Sequence, residues 1–301
     1  MPRVILKNTV RAIGIASVLA MSPFAAHAQT SINVAAAANL TGPLTDIINQ
    51  FQTDYSGSNY TVSVTFGSSG LLESQINGTC SGCTPNAPGY DLFLAADVDH
   101  PKDLIDHYIS SVSPYQTSPS KYLIQYVIGA LSLWTNTAGI DVSSGLPAGW
   151  SKVAIADPAL APYGVAAQSV LGHTPYNITL PNAKVDEYSN ITNTYNAINS
   201  GSEAYGFIAR SQICTHGDTT PVYSGVSHQN INSGASTYAP ILQGGVPVAH
   251  TRTSDQETEL TTFIQYVTGR NYSGSIVTPN GTNQFTYYCY TFPSTRYPTY
   301  P

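Results

Sequence analysis

The sequence predicts an α/β protein of two lobes built on mainly parallel sheets. Three observations carry that expectation. Short apolar runs alternate with segments of helical period through the first hundred residues, and the alternation restarts near residue 127. Setting aside an amino-terminal targeting segment leaves about 270 residues, enough for two lobes of ordinary size.

That segment is residues 1–28. Arg3, Lys7 and Arg11 form a basic start, Ala12–Ala26 an apolar stretch, and Ala26-His27-Ala28 a small-residue cleavage site. The mature chain is expected to begin at Gln29 as an exported protein. The cleavage point carries no cysteine for a lipid anchor, and no later apolar run is long enough to span a bilayer.

The elements follow in order. Ile32–Ala35 reads as a short buried strand. Thr41–Asp54 reads as a helix, because Leu44, Ile47, Ile48 and Phe51 recur at helical spacing and Pro43 suits the first turn. Tyr60, Val62, Val64 and Phe66 alternate with Thr and Ser, the pattern of a strand. Leu71–Ile76 is a short helix stopped by Asn77-Gly78, and Asp91–Ala95 is a strand leading through Asp97 to a helix around Pro101–His107. The second round opens with strand-rich Leu123–Trp134 and the strand Val153–Ala156. A helix from Pro162 to about Leu171 follows, then a helix capped by Asn190 and the strand Tyr205–Ala209. Near Tyr238–Val248 the chain is expected to return to the first lobe. There Leu260, Phe263, Ile264 and Val267 share one face of a helix over Thr253–Thr268. The expected division is 29–126 for the first lobe, 127–240 for the second, 241–284 for the return, and 285–301 for a Tyr- and Pro-rich appendage pinned by Cys289.

Removing Arg3, Lys7 and Arg11 from the 11 basic residues leaves eight against 17 acidic ones, a net charge of −9. That balance argues against nucleic acid or an anionic membrane as partner. An anionic ligand would have to be held by local dipoles. Charged residues make up only 9% of the chain, against roughly 25% in typical proteins, a composition that fits acidic surroundings. The four cysteines, Cys80, Cys83, Cys214 and Cys289, suit disulfides in an exported chain. Three pairings are open; Cys80–Cys83 with Cys214–Cys289 is favoured, as a small loop and a long-range clamp.

Two strand-to-helix turns carry the strongest functional signal. Val34–Thr41 and Phe66–Leu71 each place small residues and neutral hydrogen-bonding side chains where unpaired N–H groups gather at a helix start. A fully ionised tetrahedral oxyanion has acceptors and no proton, so it requires donors only, and these turns offer donors without a carboxylate.

Five segments, Ile32–Thr41, Val64–Leu72, Tyr90–Asp97, Ala156–Gly164 and Tyr205–Gln212, occur in an order that resembles the periplasmic molybdate-binding proteins, the substrate-binding components of molybdate ABC transporters. The resemblance spans roughly residues 31–270. It implies a two-lobe periplasmic-binding-protein fold (type II, a Venus flytrap) that closes on molybdate, and on tungstate, in the interlobe cleft. It also implies a periplasmic monomer that passes its ligand to the membrane permease of an ABC importer, with no cofactor and no metal beyond the oxyanion itself. Carried over position by position, the ligand set is Asn39, where many members have Ser; the hydroxyl of Ser69; and the backbone N–H groups of Tyr163 and Ile191. Ser68 and Ala209 are candidate further contacts, although Ala209 stands where a Tyr hydroxyl is common.

Other readings stand beside this one. The same fold holding another oxyanion or a small carboxylate is motivated by Asn39 and Ala209. An exported thiol-disulfide oxidoreductase using Cys80 and Cys83 is a different class, but Thr84–Gly89 after the pair reads as loop, whereas a reactive thiolate needs a helix start. Asp97 and Asp157 suit capping better than ligation, and Arg210 suits a solvated turn better than a charge in the cleft. His100 and His107, seven apart, are a weak metal candidate. His173, His216, His228 and His250 add no ligand spacing, and Ser118–Lys121 matches S-x-x-K only in form. No catalytic constellation emerges.

Overall fold

The computed structural model of the protein describes residues 29–107, 123–215, 221–269 and 284–292. The targeting segment, Ser118–Lys121, His216 and the last nine residues lie outside them. In chain order the elements are β1 (Thr30–Ala37), α1 (Thr41–Asp54), β2 (Tyr60–Gly67), α2 (Ser69–Asn77), β3 (Leu92–Leu94), α3 (Asp99–Asp106), β4 (Ile124–Gly129), β5 (Leu131–Thr135) and β6 (Val153–Ala156). They continue as α4 (Pro162–Gly172), β7 (Val185–Tyr188), α5 (Ile191–Asn199), β8 (Gly206–Ala209), β9 (Cys214–Thr215), β10 (Val222–Tyr223), β11 (Ser227–Ile231), β12 (Ile241–Pro247) and α6 (Ser254–Thr268).

The strands form two five-stranded sheets, β2-β1-β3-β12-β4 and β11-β5-β8-β6-β7, with β9 and β10 a small pair apart. Each sheet has a parallel part, β2-β1-β3 or β8-β6-β7, extended by antiparallel strands. The chain passes between the sheets at Gly129–Ala130 and again between β11 and β12. Each lobe is thus α/β, a two-lobe fold. Among the described residues no helix is long and apolar enough to cross a membrane.

Local chemistry explains the helix ends. The Asn190 side chain accepts from the Asn193 N–H, and Thr253 with Gln256 forms a reciprocal capping box at α6. Gly78 ends α2 with φ at +77°, a conformation a side chain would strain. The β1 run is apolar throughout because both faces are covered. Ile32, Val34 and Ala36 pack toward α1 and α6, and Ala35 packs with Leu72, Leu104 and Phe93 on the other face. Leu44 and Phe51 of α1 are fully buried in the first of these cores, at about 1.5–3 kcal/mol each.

The lobes meet at the carboxyl ends of their parallel strands. Ala37, Ala38 and Ala96 from the first lobe lie in the same buried cluster as Tyr163, Ile191 and Ala209 from the second. Small residues at these turns let the two backbones approach. The disulfides are Cys80–Cys83, in a turn after α2, and Cys214–Cys289, joining β9 to the carboxy-terminal segment.

Candidate functional site

Four helix starts converge where the lobes touch. Asn39 lies in a single 3-10 turn, Ala38–Leu40, between β1 and α1. Ser68 precedes α2 and Ser69 is its first residue, while Tyr163 is second in α4 and Ile191 first in α5. The first N–H groups of a helix have no partner within it and carry the positive end of its dipole. Hydrogen bonds close the boundary around them. Gly70 N–H donates to the Leu160 carbonyl at 3.2 Å. Thr192 Oγ1 donates to the Ala38 carbonyl at 2.7 Å, and Ser211 Oγ to the Asn39 carbonyl at 3.2 Å.

Gln243 is the hub of a buried polar network at this boundary. Its Oε1 accepts from Asn39 Nδ2 at 3.0 Å and from the Tyr126 hydroxyl at 3.1 Å, and its Nε2 donates to Tyr163 Oη at 2.9 Å. Asn39 Nδ2 also donates to Tyr290 Oη at 2.8 Å. The β12–β4 register shifts between Gln243 and Gly244, and such a bulge re-aims a side chain. Gly129, at the crossing from β4 to β5, leaves room for the pair, since a Cβ there would collide with Tyr163 Oη and Gln243 Nε2. Burial holds the phenols of Tyr126, Tyr163 and Tyr290 well above their usual value, so all three remain O–H groups. The network carries no charged side chain.

The predicted positions are therefore joined unequally. Asn39 and Tyr163 are linked through Gln243. Ile191 is tied to the same boundary by Gln212, whose Nε2 donates to its carbonyl at 3.2 Å. Ser69 is not part of the Gln243 network: its Oγ accepts from the N–H of Ala96, a residue of the interlobe cluster, at 2.9 Å, which leaves its own O–H proton to be donated. Ala209 is fully buried and offers only a methyl group to the cluster; its N–H donates to Gln212 Oε1. Two buried side-chain atoms at the boundary have no hydrogen-bond partner, Asn39 Oδ1 and Ser68 Oγ, one on each turn singled out from the sequence. The other such atoms among the described residues lie around Thr30 and α6 and on Arg210.

Gln243, Tyr126, Ser211, Thr192 and Tyr290 were not foreseen. Gln243 had a signal: it is the one polar side chain in β12. Asp97 accepts from the His100 N–H, and Asp157 from the Ala159 N–H, both turn-forming roles. The half-buried Arg210 guanidinium is tied to the end of β11, donating to the Ile231 carbonyl at 3.2 Å. Cys80 and Cys83 close a turn whose Cys83 N–H donates to the Cys80 carbonyl, with no helix starting at either.

A titrating group borders the boundary. His100 Nδ1 lies 2.6 Å from Asp97 Oδ2, and its Nε2 lies 3.7 Å from Glu73. Burial opposes charge on His100, but the Asp97 hydrogen bond and field, with Glu73, raise its pKa overall. Glu73 is pushed up to about 7 by burial and by its contact with Asp103. His100 spends its close contact on Asp97, so it compensates Glu73 only weakly.

Residues 32–272 match the family described as bacterial extracellular solute-binding protein. The molybdate-binding protein ModA of Azotobacter vinelandii is 31% identical over 244 residues, spanning 80% of this chain and 84% of its own length. The ModA of Rhodobacter capsulatus is 33% identical over 208 residues, 68% of this chain and 75% of its own length. The solved periplasmic molybdate-binding protein of Azotobacter vinelandii shares the fold with a TM-score of 0.67 at 24% identity, covering 87% of this chain and all of that one. With the fold, the converging helix starts and these matches together, the chain belongs to the bacterial extracellular solute-binding proteins and, within them, to the family of the ModA molybdate-binding proteins.

Proposed function

We propose that this protein is a periplasmic receptor, not an enzyme, that binds molybdate and tungstate in the interlobe cleft and delivers them to the permease of an ABC importer. The observation that carries this reading is the pair of orphaned buried atoms at the converging helix starts, Asn39 Oδ1, whose amide belongs to the uncharged Gln243 network, and Ser68 Oγ, on the neighbouring turn. Buried polar atoms are almost always satisfied, so two unpaired ones at one boundary support a missing partner with several polar atoms.

Ser68 can donate to such a partner directly. Asn39 can do so by rotating its amide half a turn together with that of Gln243. Asn39 Oδ1 then accepts from Gln243 Nε2 and from the Tyr290 hydroxyl. Gln243 Oε1 accepts from Tyr163, and Tyr126 keeps its 2.7 Å bond to the Ala95 carbonyl. Each contact in the Asn39–Gln243 network is retained, and the orphaned acceptor becomes an N–H donor. The proposed ligand set is that donor with Ser68, Ser69 and the N–H groups of Tyr163 and Ile191. Helix dipoles and neutral donors would hold a dianion on a chain that is itself acidic.

Selectivity over sulfate would come from cleft size, because the two dianions present the same acceptors and molybdate is larger. Titration calorimetry with molybdate, tungstate, sulfate and phosphate is the test. Heats for molybdate and tungstate with none for sulfate are expected; tight sulfate binding without molybdate heat overturns the reading. A second reading, a partly protonated oxyanion or a small carboxylate, is favoured by one feature. The unrotated Asn39 presents an acceptor, which would suit a ligand O–H. An exclusive molybdate response removes it.

A further inference from the structure

We propose that Tyr290, carried by the carboxy-terminal segment, contacts the bound oxyanion, so that a third part of the chain supplies a hydroxyl donor to the site. The inference rests on the oxyanion reading above. Three successive residues fix this segment. Cys289 is crosslinked to Cys214 of the second lobe. Thr291 pairs with Ile128 of β4 in the first, with N–H···O distances of 2.8 and 3.1 Å. Tyr290 lies between these anchors and is 5% exposed, its ring edge-on to Phe285, which packs against Tyr126.

The hydroxyl is placed among the proposed ligand groups. It accepts from Asn39 Nδ2 at 2.8 Å and donates to the Asn39 carbonyl at 3.2 Å. Burial raises its pKa, and hydrogen bonds with Ser211, Asn39 and Tyr163 oppose that rise only in part, so it keeps its proton. The proton is available to a ligand oxygen while the Asn39 amide is unrotated: Asn39 Nδ2 then keeps donating to Tyr290 Oη, and the Asn39 carbonyl still accepts from Ser211 Oγ. Rotation of the Asn39 amide would claim the same proton, so Tyr290 donates from this turn in place of the Asn39 amide. The end of β8, where Ala209 brings no donor, is completed from the tail. Because the Cys214–Cys289 crosslink runs from the second lobe to a segment paired with the first, it positions Tyr290 and restrains how far the lobes separate.

Titration calorimetry with molybdate on the full mature chain tests this, using wild type, Tyr290→Phe and the double variant Cys214→Ser/Cys289→Ser. Tyr290→Phe is expected to bind roughly 10- to 100-fold more weakly, as for loss of a hydrogen bond to a charged group. The double variant, which keeps the tyrosine but frees its anchor, is expected to weaken binding by roughly 3- to 10-fold. A folded Tyr290→Phe whose Kd lies within about twofold of wild type overturns the proposal, even if its apo Tm falls. Should that variant fail to fold by circular dichroism, unchanged affinity of the double variant overturns it instead. Wild type silent toward molybdate, tungstate, sulfate and phosphate sinks the oxyanion reading, and this inference with it.

Discussion

Replacing Gln243 by Met keeps the length and much of the volume of the side chain while removing both polar atoms. Gln243 is fully buried and makes three side-chain hydrogen bonds, to Asn39, Tyr126 and Tyr163. Tyr126 would lose little, because its hydroxyl still donates to the Ala95 carbonyl at 2.7 Å. Asn39 would keep one donor contact, to Tyr290, and lose the other. Tyr163, 1% exposed, would lose the amide its hydroxyl faces. Two buried polar groups thus lose a partner, at about 1–3 kcal/mol each, and the buried thioether recovers about 1 kcal/mol. The net loss is about 1–5 kcal/mol, which at about 2–4 °C per kcal/mol lowers Tm by about 2–20 °C. Scanning calorimetry of the ligand-free protein reads it. A Tm within about 1 °C of wild type would refute the hub role of Gln243 and the coupled amide rotation built on it.

Ser68→Ala is expected to separate stability from binding. It removes a buried hydroxyl with no partner, so the apo Tm should hold or rise, while molybdate affinity falls about tenfold. A lowered apo Tm in calorimetry contradicts this account. Stability should also fall as pH rises from about 5 to 7.5. The native Glu73 carboxyl holds its proton to about 7 while the unfolded chain releases it near 4.5, so the folded state binds more protons in that window. His100, also raised, loses its contribution in the same direction as pH rises through its folded value. Glu73 is 14% exposed, and after solvent screening its share is about 1–2 kcal/mol. Glu73→Gln should flatten the profile of Tm against pH; an unchanged slope rules out that assignment.

Edge strands mark one limit of what the sequence makes legible. β7, Val185–Tyr188, and β11, Ser227–Ile231, escaped the reading because both are polar and half exposed. Their pairing rests on backbone hydrogen bonds to β6 and β5, which leave no side-chain period. By contrast, α1 spans Thr41–Asp54 as its apolar spacing predicts, β6 spans Val153–Ala156, and Asn190 caps α5. These follow from interactions within a few residues, which a local pattern records.

The same distinction divides the candidate site. That the turns after β1 and β2 end in small residues and neutral donors is written in consecutive residues, and so is the start of α4 at Pro162. Which of those donors meet is not. Asn39 reaches Gln243 across 204 positions and Tyr290 across 251, while Ser69 turns to Ala96. Contacts of that span are chosen by the register of two sheets, a bulge in β12 and a crosslink from Cys214 to Cys289. The amino-acid order alone therefore determines where donors gather along the chain. Packing of distant segments decides which side chains share one buried, charge-free boundary, because burial and hydrogen-bond satisfaction are properties of the assembled fold.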